Sequence, residues 1–532
     1  MNSPQTEFQK ALALHQRGQL EQAERAYSTL LEKDPRNFDV LHLLGMVHQQ
    51  RGDADKAVDR LTEAMAINDG VAEAHCNLAH ALRKLRRFDE ALDSYARALD
   101  IKPDYFEAGF HRAWLLQDLR RLEEALAAYD GLLALKADAP QVLHNRGLVL
   151  HDLGRLDEAL RSYDRVLALN AASQPSWHSR GNVLLELERF QEARASYDRA
   201  IELKPDDAEA LKSRGMLKLL LGDFATGWSD YEYRRKHKSV VAAEQASNIP
   251  YWEGQEPRGR SILVSDASGL GDTIQFSRYL PLLAAMGASV TFFGPQKLMR
   301  LLSQFGPRVR MVSELPPGQR YDYRCKLLSL PHLLGTDADN IPQLVPYIKA
   351  EPERVAHWRT RIGGHGFRVG ICWRGAPNRL FDRGRSPPLS AMLPIARLPG
   401  VRLISLQKTF GLEQLQDLPA GMQVETLGDD FDNGPDAFLD TAAVMESLDL
   451  VLSIDTSITH VAGALGRPVW LALQRVPEWR WQLERRDSPW YPTVRLFRQA
   501  SLGDWDSVYT AMADELKPWL ARRLVNEVKQ LK

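Results

Sequence analysis

Small and apolar residues recur with a fixed period through the first 240 residues. Ala23, Ala57, Ala91, Ala125, Ala159 and Ala193 each follow the last by 34 residues. Four positions beyond them stand Tyr27, Leu61, Tyr95, Tyr129, Tyr163 and Tyr197. A third column reads Gly45, Ala79, Ala113, Gly147, Gly181 and Gly215, and Pro35, Pro103 and Pro205 close three of the units. A period sustained this long predicts stacked units, none able to bury its apolar face alone. From about Ile249 the period is gone. Short apolar, β-branched runs take over: RSILVSD, GASVTFFG, FRVGICWRG, GVRLISLQK, GMQVETLG, LDLVLSID and RPVWLAL. Helical patterns lie between several of them, over 272–283, 440–447 and 457–465. Strand, glycine-rich turn, helix, strand opens a βαβ unit. Two such series in succession predict two α/β domains, 249–360 and 366–500, and the tail 501–532 reads as an amphipathic helix capped by Asp504.

The 34-residue unit resembles the tetratricopeptide repeat, two antiparallel helices per unit. Six full repeats and a degenerate seventh are expected, forming an α-solenoid over 4–241; in the seventh, GDFATGWSDYEYRRK, Gly227 replaces the expected alanine. The small residues are expected to let the two helices of a unit approach, and the aromatic to fill the gap to the next unit. The first helices of such a solenoid line its concave face. One column there reads Asn77, His111, Asn145, Ser179 and Ser213, all able to donate or accept hydrogen bonds. A polar ladder that grips an extended peptide is one reading. A merely solvated polar face is the other, and Leu43 interrupts the column.

The 532 residues leave room for about three domains of ordinary size. A net charge of −1 argues against broad affinity for nucleic acid, which needs a clustered positive surplus. No apolar run reaches the roughly 18 residues of a membrane span. The N-terminal stretch MNSPQTEFQKALALHQRG has no apolar signal core, so a cytoplasmic protein is expected. Cys76, Cys325 and Cys372 form no CxxC pair, so neither a disulfide framework nor a zinc site is expected.

Candidate chemistry concentrates in DLVLSIDTSITHVAGALGRPVWLAL, residues 449–473. In parallel sheets ligands sit beyond the carboxyl ends of strands, where Rossmann-like domains present helix N-termini. Asp455 stands at such an edge. The helix that follows exposes the amides near Ser457, Ile458 and Thr459, and its dipole attracts anions, most naturally phosphate. Ala462, Gly463 and Ala464 allow close packing on the sheet. The stretch reads as a diphosphate cradle with Asp455, Thr456 and His460 beside it. The plainer alternative makes Asp455 a helix cap worth about 1 kcal/mol and His460 a core histidine with its partners satisfied.

The same stretch resembles the C-terminal signature of heptosyltransferase-like glycosyltransferases with the GT-B fold, two Rossmann-like domains facing each other. The resemblance runs through the second half in GLGDTIQFSRYLPLL, VGICWRG, FDRGRSPPL, VRLISLQK, FLDTAAVMESLDLVLSIDTSITHVAGALGRPVW and PEWRWQLERRDSPWYPTVRLFRQ. It is closest to bacterial proteins that fuse tetratricopeptide repeats to such a domain. It implies that Asp272 in GLGD is the catalytic base that deprotonates an acceptor hydroxyl, a contribution of typically about 10² to 10⁴-fold. The alternative is an acidic residue stabilised by a helix dipole. Gly269 and Gly271 would let the backbone turn tightly and approach the ligand.

Arg374 departs from the small residue that the family often has after VGICW; it is expected to bind phosphate or to narrow the pocket. The family uses a basic residue near Arg383, Arg385 and Ser386 against the donor phosphates, a role suited to the guanidinium fork. In NRLFDR, Leu380 and Phe381 replace the family's polar residues, while Arg379 is present. Gln407 and Lys408 are placed for the nucleotide base or ribose. Asp440 and Thr441 would offer a second set of free amides near the donor. The acidic DDFD at 429–432 looks like a metal motif of a different glycosyltransferase fold and is discounted. Trp479, Trp481, Trp490 and Tyr491 either stack on sugars or, more commonly for large aromatics, pack inside.

The expected function is inverting, metal-independent transfer of a sugar from a nucleotide-sugar to a hydroxyl. No cofactor is required. The repeats suggest a Ser or Thr of a recruited protein as acceptor, by fold-level analogy. The alternatives are an envelope glycan as acceptor, with the repeats docking an assembly partner, or a repeat scaffold without turnover.

Overall fold

The computed structural model of the protein describes residues 4–236, 248–265, 269–376 and 384–530. The chain divides into two compact units, Met1–Pro205 and Asp206–Lys532.

The first unit is a stack of six helical hairpins. Pro4–Gln16 pairs with Leu20–Lys33, Phe38–Arg51 with Ala54–Met65, Ala72–Lys84 with Phe88–Ile101, Phe106–Asp118 with Leu122–Leu135, Pro140–Asp152 with Leu156–Leu169, and Gln174–Glu186 with Phe190–Leu203. The turn inside a hairpin needs one left-handed residue. Gly18, Gly52 and Gly154 supply it at φ 72, 88 and 79, while Arg86, Arg120 and Glu188 adopt φ 61, 64 and 59 at the equivalent places. A second periodic device joins successive hairpins. Arg146 donates to Asp130 at 2.6 Å and to Ser162 at 2.8 Å; Arg180, one period on, does the same to Asp164 and Ser196 at 2.7 and 2.8 Å.

The repeat tyrosine touches the next unit, the Tyr95 ring stacking on His111 with centroids 6.4 Å apart. It also lies inside its own hairpin, against the small residue of the first helix. A Cβ on Gly147 would come within 2.7 Å of the Tyr163 ring, and one on Gly181 within 2.5 Å of Tyr197. The small column is therefore a set of seats for aromatic rings. Gly147→Val should destabilise the protein by about 1–3 kcal/mol through overpacking, read as a lower urea midpoint. An unchanged midpoint would show that the ring can move aside freely.

The second unit opens with a seventh hairpin, Ala208–Leu220 and Phe224–Tyr231. The boundary expected at 241 thus lies at 205/206 by compactness. The reason is the packing of this hairpin: the buried Trp228 donates its indole N–H to the Thr336 carbonyl at 2.8 Å and meets Trp479 edge-on at 5.2 Å.

Two parallel sheets follow. The first holds β1 (Ser261–Ser265), β2 (Ser289–Phe293), β3 (Val309–Val312) and β4 (Tyr323–Lys326) in the order β3-β2-β1-β4. The second holds β5 (Phe367–Cys372), β6 (Val401–Ser405), β7 (Val424–Glu425), β8 (Leu450–Ile454), β9 (Val469–Leu473) and β10 (Val494–Arg498) in the order β10-β9-β8-β5-β6-β7. Strands β8 and β9 are buried along their whole length, as parallel strands covered on both faces must be. The order runs outward from β5 in both directions, so the connections leaving β5 and β8 diverge. The crevice beyond the carboxyl ends of these two strands is the place where such sheets bind ligands. There Cys372 stands opposite Ser453.

The tail is not a separate element. In the helix Trp505–Gln530, Trp505, Val508, Tyr509, Met512 and Leu516 belong to the core of the second sheet. Its amphipathic pattern was visible in sequence, but the partner of its apolar face was not. Asp504 caps it as expected, accepting from the Ser507 amide at 3.0 Å. Among the described residues no helix is long and apolar enough to cross a membrane.

Candidate functional site

Two short helices of the second unit meet by their first turns. One is Leu270–Phe276, after β1; the other is Ser457–Ala464, after β8. Their approach depends on Gly271, where a Cβ would lie 2.8 Å from the His460 ring and 3.5 Å from Ser457 Cα. Gly271 was expected to admit a ligand; instead it admits the other helix. Gly269 has φ −66 and ψ 154, an extended backbone open to any residue, and a Cβ there would meet only Asp272 Oδ2 at 3.8 Å.

Arg480 is buried at the centre of this contact. Its guanidinium donates to Asp272 Oδ1 at 2.7 Å, to Glu478 Oε2 at 2.7 Å and to Gln275 Oε1. Its Nη1 also lies 3.4 Å from His460 Nε2. A guanidinium can only donate, so Nε2 accepts and the imidazole proton sits on Nδ1, 3.0 Å from the Tyr491 hydroxyl. Burial, then the charges of Arg480 and Arg278, hold His460 well below the ordinary histidine range, so it is neutral. His460 is therefore a core histidine with both nitrogens engaged, stacked on Trp481 at 5.7 Å.

Asp455 retains some exposure but is closely surrounded. Burial raises its carboxyl above the usual range, opposed by the charges of Arg480 and Arg385. Burial also raises Glu478, opposed by Arg480. Three carboxyls thus face one buried guanidinium, with two of them inclined to keep a proton. Asp272 keeps 27% of its side chain exposed and has a second oxygen not bonded to Arg480.

Asp455 does not cap the following helix, whose N-cap is Thr456 and whose first amides receive no side-chain bond. Of the three amides expected to be open, that of Thr459 is bonded to the Thr456 carbonyl at 3.1 Å, and its hydroxyl to the Ile454 carbonyl at 2.8 Å. Among the described residues the amides of Ser457 and Ile458 have no acceptor. Thr456 Oγ1 lies 3.3 Å from Ser453 Oγ. Arg385 reaches this edge, donating to the Asp455 and Ala376 carbonyls, each at 3.3 Å. Ser386 Oγ takes the Gly375 amide at 3.5 Å. Arg374 is half-buried with its stem against Gly411. Arg379 and Arg383 lie outside the described residues.

Several expected donor groups are committed to the fold. Gln407 accepts from the Trp373 and Arg374 amides at 3.2 and 3.1 Å and donates to the Arg374 carbonyl at 2.8 Å. It pins the end of β5. Lys408 donates to the Phe431 carbonyl. The Asp440 and Thr441 amides are not open: Asp432 accepts from them at 2.8 and 3.3 Å and so caps the helix Leu439–Met445. The Asp440 carboxylate holds Arg354 at 2.6 Å and the Trp358 indole at 2.9 Å. Within DDFD, Asp432 is thus a cap and Asp430 pairs with Arg361. Trp479, Trp481, Trp490 and Tyr491 are buried and present no face for a sugar.

The polar column of the repeats is not an open row. Ser179 is 8% exposed, and Asn145 is half-buried. Asn77 Nδ2 lies 2.9 Å from His42 Nε2, and the His111 ring meets His80 and Phe110. The helix packing turns these side chains onto the neighbouring hairpin. Ser213, in the second unit, is 7% exposed.

Sequence reading passed over Gln275, Arg278, Glu478 and Arg480. Arg278 is 1% exposed and donates to the Trp490 carbonyl at 2.6 Å and to the Gln275 carbonyl at 2.9 Å. The available signal was the alternation of charge and tryptophan in PEWRWQ, where Arg480 is buried with the rings on either side of it.

Models of the tetratricopeptide repeat match residues 14–79, 72–105 and 110–174, and a model of the TPR repeat matches 181–222. The N-terminal part of the chain therefore carries these repeats. Protein FlbA of Caulobacter vibrioides is 25% identical over 323 residues, which is 57% of this chain and 54% of FlbA. The chain thus spans about half the length of this relative. Among solved structures, a tetratricopeptide repeat protein from Parabacteroides merdae is 19% identical, covering 45% of this chain and 96% of its own, with a TM-score of 0.37. PilF of Pseudomonas aeruginosa is 22% identical, covering 39% and 95%, with a TM-score of 0.34.

Proposed function

We propose that the second unit is an inverting glycosyltransferase of the GT-B type that moves a sugar from a nucleotide-sugar to a hydroxyl without a metal. The observation that carries this reading is the convergence at the carboxyl end of β8. Among the described residues the Ser457 and Ile458 amides have no acceptor, and they and the Arg385 guanidinium can face phosphate oxygens there, while Asp272 stands across the same helix contact with one oxygen held by Arg480. In this reading Asp272 takes the acceptor proton, and Asp455 orients the donor. Repeats of this kind engage protein partners, and a Ser or Thr of such a partner is the proposed acceptor.

A second reading, a scaffold without turnover, draws on the commitment of Gln407, Lys408, Asp440 and Thr441 to structural bonds. Thermal melting with UDP-, GDP-, ADP- and CMP-sugars separates the two. A ligand at about 100 times its Kd stabilises by about 2.7 kcal/mol. One nucleotide class should shift the wild-type melt, and Arg385→Ala should lose most of that shift. No shift with any of the four would favour the scaffold. With a donor in hand, transfer to protein and to glycan acceptors distinguishes the two acceptor classes.

A further inference from the structure

We propose that the third and fourth hairpins of the repeat unit hold a divalent metal ion of the zinc class between Cys76, His80, Glu107 and His111. Cys76 and His80 lie one turn apart on the helix Ala72–Lys84, and Glu107 and His111 are spaced identically on Phe106–Asp118. Residues four apart share a helix face. The pairs on the two facing helices bring the ligand atoms of Cys76, His80 and Glu107 together, with the His111 ring beside them. Cys76 Sγ is 4.0 Å from His80 Nε2, and donor atoms of Cys76, His80 and Glu107 all lie within 4.8 Å of one another. The His111 ring stands edge-on to His80 with centroids 4.6 Å apart. Ligand atoms in a tetrahedral zinc site are about 3.5 Å apart, given bonds of about 2.0–2.3 Å. In the proposal the four side chains rotate about their own bonds to close on the ion, His111 by the most. Cys76 is buried and Glu107 exposed, which leaves a way in from solvent on the Glu107 side.

The repeat itself does not require this set. At the position of His80 the other units carry Leu12, Met46, Trp114, Leu148, Asn182 and Met216. At the position of His111 they carry Gln9, Leu43, Asn77, Asn145, Ser179 and Ser213. Cysteine spacing alone argued against a zinc site; the ligands come from two helices 31 residues apart, Cys76 to Glu107, in which only one ligand is a cysteine. As the sulfur–metal bond forms, the thiol proton passes to solvent. A thiolate, two imidazoles and a carboxylate suit zinc or cobalt better than magnesium or calcium.

The test uses the full chain, reduced and freed of metal with a chelator. Zinc titration by calorimetry should give one ion per chain, with proton release seen as a dependence on buffer ionisation enthalpy. Cobalt should give a thiolate charge-transfer band and the strong visible bands of four-coordinate geometry. His80→Leu and His111→Asn place residues that the repeat already carries at equivalent positions, so both should keep the metal-free melting temperature. Each should weaken zinc by at least about 10–100-fold. The proposal is overturned if the wild type binds zinc no more tightly than His80→Leu, or if cobalt binds without the thiolate band.

Discussion

Arg480→Met should cost the second unit about 2–4 kcal/mol and abolish any activity of its site. Removing one partner of a buried ion pair typically costs about 3–5 kcal/mol, because the partner charge is left uncompensated. Here the expected loss is smaller, since Asp272 and Glu478 keep 27% and 30% of their side chains exposed and water can screen them. The guanidinium nevertheless holds Asp272, Glu478, Gln275 and His460 together, and methionine can replace its stem but none of its donors. Urea unfolding checks the prediction. A midpoint equal to wild type would mean that the carboxyls relax to solvent, and that Arg480 does not organise the helix contact. Glu478→Gln, which removes one of the surplus carboxylates, should cost much less.

Asp272→Asn should lower sugar transfer by about 10² to 10⁴-fold while leaving the donor-induced melting shift intact. Asparagine still offers an oxygen to Arg480, so the helix contact should hold. What it lacks is the capacity to take a proton. The measurement is transfer with whichever nucleotide-sugar shifts the melt, together with the shift itself. Transfer within tenfold of wild type would remove Asp272 from the catalytic role. Loss of the donor shift as well would make it a binding residue instead.

How far the site could be read in advance depended on where each residue's partner lies. Asp455, Thr456 and Ser457 could be placed at the carboxyl edge of β8 because a buried strand followed by a small-residue helix puts its polar edge at a known point of a parallel sheet. Gly271 was found, but for the wrong reason. Its role is set by His460, 189 residues away, and no local rule names that neighbour. Asp440 was expected to offer its amide to the donor; that amide is bonded to Asp432, and its carboxylate holds Arg354 and Trp358, 86 and 82 residues away in the chain.

The sequence by itself determined the seven helical hairpins, the alternation of strand and helix after them, and the carboxyl edge where the candidate site lies. These follow from periodicity, which is a local property: a residue's face is set by its own element. Only the tertiary structure decided which polar groups remain available. It gave the seventh hairpin to the second unit, committed Gln407 and Lys408 to backbone bonds and Thr441 to the Asp432 carboxylate, and buried Arg480 against Asp272, which is distant in the chain. A polar side chain's function depends on what it is not already bonded to, and buried groups are bonded to whatever the fold brings within about 3 Å.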